Sequence, residues 1–228
     1  PMAHTLPERS RAAASYRAVL LPLFFLSGFS GLVSEIVWSR MLVLVFGNTT
    51  LATSIILASF MAGLSLGSYG WGRLARAWKG SLLSLFGCLE LATGLCALLF
   101  PLWLQGAVPI EVWLSGSVPL GYYPLSVLRG LLCFILILIP TFFMGGTFAV
   151  LGGYLIRGED RIGREVALLY GLNTVGAALG AGMAGFFLVR HLGNTGSYGL
   201  AAGINLLVGL AALLLGRKAR LPEGRPPG

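Results

Sequence analysis

Charge is scarce in this chain. Asp, Glu, Lys and Arg together make up 11% of its 228 residues, while 56% are hydrophobic and the mean hydropathy is +0.85. A soluble domain carries about 25% charged residues, so a water-soluble globular protein is excluded. Histidine is nearly absent. His4 sits in a polar tail and His191 in a short connection, and neither has a Cys or His at ligand spacing, so a zinc site is not expected. The three cysteines, Cys88, Cys96 and Cys133, fall in apolar stretches at spacings that match no metal motif. Their odd number also argues against a disulfide framework. No phosphate cradle is readable, because Gly70-Trp71-Gly72-Arg73 closes an apolar helix and follows no strand. A Ser/His/Asp grouping is missing as well. The chain is therefore expected to be no enzyme and to carry no cofactor.

What is abundant is long apolar sequence. At about 20 residues per crossing, the chain accommodates roughly six to eight membrane spans and leaves no room for a soluble catalytic domain. Six spans are predicted: Leu20 to Phe46, Leu51 to Leu74, Leu82 to Leu104, Leu125 to Ile156 with a bend near Pro140, Val166 to Val189, and Tyr198 to Leu215. Between the third and fourth, Pro109, Pro119 and Pro124 are too frequent for a continuous helix, so Gln105 to Pro124 is predicted as an outer loop. Trp103, Trp113, Tyr122 and Tyr123 in or beside it suit the headgroup belt. The fold class expected is an all-α integral membrane protein: residues 1–19 a cytoplasmic segment, 20–216 a six-helix transmembrane domain, 217–228 a cytoplasmic tail.

The net charge of +8 comes from residues that flank these spans, which points to membrane orientation and away from nucleic acid. Arg9, Arg11 and Arg17 precede the first span, and Arg73, Arg76 and Lys79 follow the second. Arg157, Arg161 and Arg164 follow the fourth, and Arg217, Lys218, Arg220 and Arg225 the sixth. The opposite connections hold Arg190 alone. Both termini are therefore expected in the cytoplasm, in a multi-pass protein of the cell inner membrane.

Two acidic residues lie within spans. Glu35 is halfway along the first, where an acidic group costs ~3 kcal/mol on the most lenient insertion scale. Helical spacing groups it with Gly28, Gly31 and Ser39, beside a stripe of Ser27, Ser34 and Trp38, so it is expected to face the bundle. Arg40, five residues on, is a poor intrahelical partner and is expected to snorkel outward. Counting about 1.5 Å per residue puts Glu90 about 13 Å deep and Glu35 about 22 Å deep, as two stations of one pathway. Tyr170 and Asn173 fall near the level of Glu90 and are expected to hydrogen-bond with it. Intramembrane carboxylates either lock helices together or handle a cation or proton. Rows of small residues (Ser59, Gly63, Gly67; Gly176, Gly180, Ala184; Ala181, Gly185; Gly199, Gly203) are expected to bring helix backbones close.

Several stretches together resemble a family. Ser27-Gly-Phe-Ser-Gly-Leu-Val-Ser-Glu-Ile-Val-Trp-Ser-Arg40, Phe60-Met-Ala-Gly-Leu-Ser-Leu-Gly-Ser68 with Gly72-Arg73, and Leu168-Leu-Tyr-Gly-Leu-Asn-Thr-Val-Gly-Ala177 resemble the membrane domain of bacterial fused transporter/spermidine synthase proteins. The resemblance implies a half-size major-facilitator-like bundle, with Glu35, Trp38, Arg40, Glu90 and Asn173 as pattern residues. In that family a soluble aminopropyltransferase-like domain often follows, whereas here only a short tail follows Leu215, so aminopropyl transfer is not carried over. The basic segment with Arg73 and Arg76 resembles the facilitator loop motif but lacks its acidic residue.

The expected function is thus movement of a small organic cation such as a polyamine, with Glu35 as the cation or proton site and Trp38, Glu90, Tyr170 and Asn173 as further binding residues, and with Arg40, Arg73 and Arg76 in gating or structural roles. The expected partners are the lipid bilayer and a second copy or second membrane subunit, because facilitators place their substrate between two six-span halves. The alternative is a non-catalytic membrane module that anchors or regulates a separate soluble synthase.

Overall fold

Apolar runs without water leave each backbone N–H and C=O to be satisfied within its own segment, and a helix does this. The computed structural model describes residues 8–47, 50–117, 121–155 and 162–218. They form α1 (Glu8–Phe46), α2 (Thr50–Ala77), α3 (Leu82–Ser117), α4 (Tyr122–Leu155), α5 (Ile162–Met183), a π-helical turn (Ala184–Leu188) and α6 (Val189–Lys218). No strand occurs among the described residues.

Among the described residues five helical stretches are long and apolar enough to cross a membrane: Arg17–Val45, Ala52–Ala77, Leu82–Trp113, Pro124–Leu155 and Gly163–Arg217. The fifth, 55 residues long, joins the two spans expected at Val166 to Val189 and Tyr198 to Leu215. It is not straight, since Gly193 breaks it with φ 66° and ψ −175°, a conformation open to glycine and strained for other residues. On α5, Asn173 abuts Gly28; on α6, Asn205 meets Ser30. Both thus reach the same turn of α1, so the chain folds back between them.

Other boundaries differ from expectation too. α1 begins at Glu8 and so includes much of the predicted cytoplasmic segment. The predicted loop from Gln105 is helical as far as Ser117, through Pro101 and Pro109; residues 118–120 lie outside the described ones. Each proline removes one N–H and crowds one carbonyl, a local cost that the rest of a long apolar helix outweighs. At Pro140 the helix continues, and the Thr141 hydroxyl donates to Ile137 O at 2.7 Å. The loop basic residues Arg157 and Arg161, and Arg220 and Arg225 of the tail, lie outside the described residues.

The helices pair most extensively as α2 with α4, α3 with α6 and α1 with α5. Glycine sets two of these contacts. A Cβ on Gly67 would overlap the Phe142 carbonyl, and one on Gly180 the Phe29 carbonyl, so each backbone packs directly on the next helix. The rows Ser59-Gly63-Gly67 and Gly176-Gly180-Ala184 act as expected. Gly185, Gly199 and Gly203 do not, since a Cβ on any of them would meet nothing within 4 Å.

Among the described residues three buried apolar clusters result, the smallest of them Val33, Ala184, Leu188 and Ala201, and the two larger ones form layers. Leu20, Phe24, Phe86, Val150, Leu151 and Val208 form one, and Trp38, Leu42, Phe60, Phe100, Cys133 and Ile137 the other. The outward side chains, among them Leu57 and Met61 of α2, Leu131 and Ile135 of α4, and Leu207 and Leu214 of α6, are apolar and exposed. Such an exterior is compatible with lipid contact.

Candidate functional site

Between the two layers lies a cavity of about 280 Å³. All six helices line it. α1 contributes Ser27, Gly28, Gly31 and Leu32; α2 Phe60, Leu64 and Ser68; α3 Glu90 and Thr93; α4 Met144, Gly145, Thr147 and Phe148; α5 Tyr170 and Asn173; α6 Asn205. On α1 these residues fall between Phe24 and Trp38, on α3 between Leu89 and Cys96, and on α6 between Ala202 and Val208, all buried core residues. The cavity is therefore a waist between two dry layers. It is not sealed, because Tyr170, which lines it, is 62% exposed.

Among the described residues Glu90 is the one acidic or basic side chain in the lining, and it is only 1% exposed. The Ser27 hydroxyl donates to its Oε1 at 2.5 Å, within the range of hydroxyl-to-carboxylate bonds. Among the described residues no cation approaches it. Beside it, Ser30 donates to Ser27 O at 3.0 Å and contacts the Asn205 amide. The Asn205 atom that meets Ser30 is Oδ1, and the Thr93 hydroxyl and Asn205 Nδ2 are buried without a partner. Across the cavity the wall is aromatic and aliphatic: Phe60, Leu64, Met144 and Phe148, with the Tyr170 ring edge-on to Phe148 at 6.2 Å.

The predicted site residues separate into two groups. Glu90, Tyr170 and Asn173 come together around the cavity. The expected hydrogen bonds from Tyr170 and Asn173 to Glu90 are absent, and Ser27 occupies that role. Glu35 and Trp38 do not line the cavity. Glu35 is half-buried, with no hydrogen bond or ion pair among the described residues. It lies four residues past Gly31 and so on the same face of α1, one turn beyond the cavity. Ser27 marks the level of Glu90, so the two carboxylates are about 12 Å apart along the axis of α1. Trp38 is core. It is 1% exposed, its ring stacks on Phe100 at 4.9 Å, and its Nε1 has no acceptor.

Arg40 and Arg76 are exposed, and Arg73 reaches only Tyr69 Oη, at 3.4 Å. None of the three bridges two helices through an ion pair among the described residues. Two inter-helix ion pairs were not anticipated. Arg17 of α1 meets Glu165 in the first turn of α5 at 2.8 Å, and Arg129 of α4 meets Glu111 of α3 at 2.5 Å. Also missed were Ser30, Thr93 and Asn205. Their signal was present as polar residues in apolar spans, with Thr93 three residues after Glu90 and Ser30 three after Ser27. Comparison with protein-family models, with curated proteins and with solved structures returned no match.

Proposed function

We propose that this chain is a multi-pass membrane transporter subunit that binds a small organic cation, of the linear polyamine class, in the cavity between its two apolar layers. One observation carries the reading: among the described residues the cavity's one acidic side chain is Glu90, which is buried and paired with no cation. An ammonium group supplies the missing charge. Methylene chains suit the Phe60, Leu64, Met144 and Phe148 wall, a cation beside the aromatic rings gains further electrostatic attraction, and the Asn173 and Thr147 side chains offer oxygens to a second amine. Glu35, next along the same face of α1, is the second station. A membrane module that only docked a soluble enzyme would not need an internal anionic cavity.

In this reading the helices cross the inner membrane six times with both ends cytoplasmic, the reversal at Gly193 dividing the fifth and sixth crossings. The arrangement is that of half a major facilitator, in keeping with the resemblance to the membrane domain of fused transporter/spermidine synthase proteins. Two such halves enclose an alternating-access path, so a homodimer or a second membrane subunit completes the transporter, with the exposed Tyr170 on the side the second half covers. Proteoliposomes holding the purified chain are expected to take up radiolabelled spermidine above empty vesicles. Equal accumulation in both, with no saturable binding to the purified protein, would remove the proposal.

A further inference from the structure

The polar wall around Glu90 has more oxygen than one ammonium group requires. Ser27 and Ser30 on α1 are three residues apart and share a face, as do Glu90 and Thr93 on α3. Asn205 of α6 closes the gap, since a Cβ on Gly94, the residue after Thr93, would lie 3.2 Å from the Asn205 Cβ. The hydrogen-bond arithmetic of Ser30 then matters. Its one proton goes to Ser27 O at 3.0 Å, so its contact with Asn205 is satisfied when the amide N–H₂ faces Ser30 and donates to it. The amide so turned exchanges its ends: Nδ2, otherwise the buried end without a partner, takes the place of the Oδ1 that meets Ser30, and Oδ1 becomes the end that faces away. Thr93, 2% exposed, likewise has no partner for its hydroxyl. Both residues line the cavity.

We propose that Glu90, Thr93, Asn205 and Ser27 form a sodium-ion site in this wall, with Ser30 holding the Asn205 amide in place. The donor set is all hard oxygen, with no thiolate or imidazole, which selects against zinc and copper. One carboxylate balances one positive charge, whereas sites for calcium gather several carboxylates. The ion and the organic cation both use Glu90, so they bind in mutual exclusion and the protein exchanges one for the other. That competition rests on the organic-cation reading; the ion site itself does not.

The test is thermal unfolding of the purified full chain in detergent, followed by tryptophan fluorescence, with NaCl titrated against choline chloride at constant ionic strength. Sodium is expected to raise the midpoint saturably and potassium to leave it near the choline value. Thr93→Val, which keeps the shape, and Asn205→Ala are each expected to raise the sodium half-saturation about tenfold or more, the loss that removing even a supporting group of a metal site produces. A wild-type midpoint indifferent to sodium, or one that potassium raises equally, overturns the ion site. So do folded variants that titrate like wild type. Spermidine in choline buffer is a separate arm. Stabilisation by spermidine without any sodium effect leaves the organic-cation reading standing and removes the ion site, and the reverse pattern does the opposite.

Discussion

Replacing Glu90 by Gln removes the cavity's charge and little else. The amide has nearly the same shape, and its oxygen still accepts the Ser27 hydrogen bond that now runs to Oε1 at 2.5 Å. An ammonium about 4 Å from the carboxylate gains about 4 kcal/mol at an effective dielectric of 20. Part of that is cancelled by desolvation, and truncating one member of a buried charge pair costs about 2–5 kcal/mol in practice. At 1.4 kcal/mol per decade, a loss of 2–4 kcal/mol is roughly a 30- to 1,000-fold rise in Kd for spermidine. The empty protein should move the other way. Glu90 is 1% exposed and has no cationic partner among the described residues, so a neutral amide relieves a buried charge and the unliganded Tm holds or rises. Equilibrium binding of labelled spermidine, paired with thermal unfolding of the ligand-free protein, reads both. A folded Glu90→Gln variant that binds within about threefold of wild type refutes the assignment of the cavity.

Glu35→Gln should separate binding from movement. Glu35 lies outside the cavity lining, so spermidine Kd is expected within about threefold of wild type, while uptake into proteoliposomes falls at least tenfold; a parallel loss of both would place Glu35 in the binding site instead. Trp38→Ala should cost about 3–5 kcal/mol of stability because it empties a buried site stacked on Phe100. Trp38→Phe should fold and bind spermidine normally, and impaired binding by the folded Phe variant would restore Trp38 as a ligand contact. Gly176→Val, whose side chain would collide with the Phe25 carbonyl, should destabilise by about 1–3 kcal/mol or prevent folding. Gly199→Ala, whose methyl would meet nothing, should be neutral or gain up to about 1 kcal/mol from helix propensity; equal Tm losses in the two variants would contradict the helix pairing.

Long apolar stretches were legible without coordinates because transfer energy adds residue by residue along a segment. Hydropathy alone therefore located the stretches around Leu20 to Phe46 and Leu82 to Leu104. Glu90, Tyr170 and Asn173 were legible for a related reason, since any polar group in such a stretch stands out against its neighbours. The segment from Gln105 to Ser117 was misread because local propensity overstated the cost of Pro109 inside a long apolar helix.

The linear pattern put Glu35 ahead of Glu90 as the cation or proton site, a ranking it had no means to make. Both are single carboxylates in apolar helices, and only the register between helices distinguishes them. Direct backbone contact sets α1 against α5 at Gly28 and Gly180, and α2 against α4 at Gly67; in the bundle as packed, Ser27 meets Glu90 and Ser30 meets Asn205, while Glu35 falls one turn beyond. The amino-acid order determined that this is a helical protein with a lipid-compatible exterior. Tertiary packing decided which polar groups share a cavity, because a cavity is a property of surfaces that fail to meet, and no single helix contains that information.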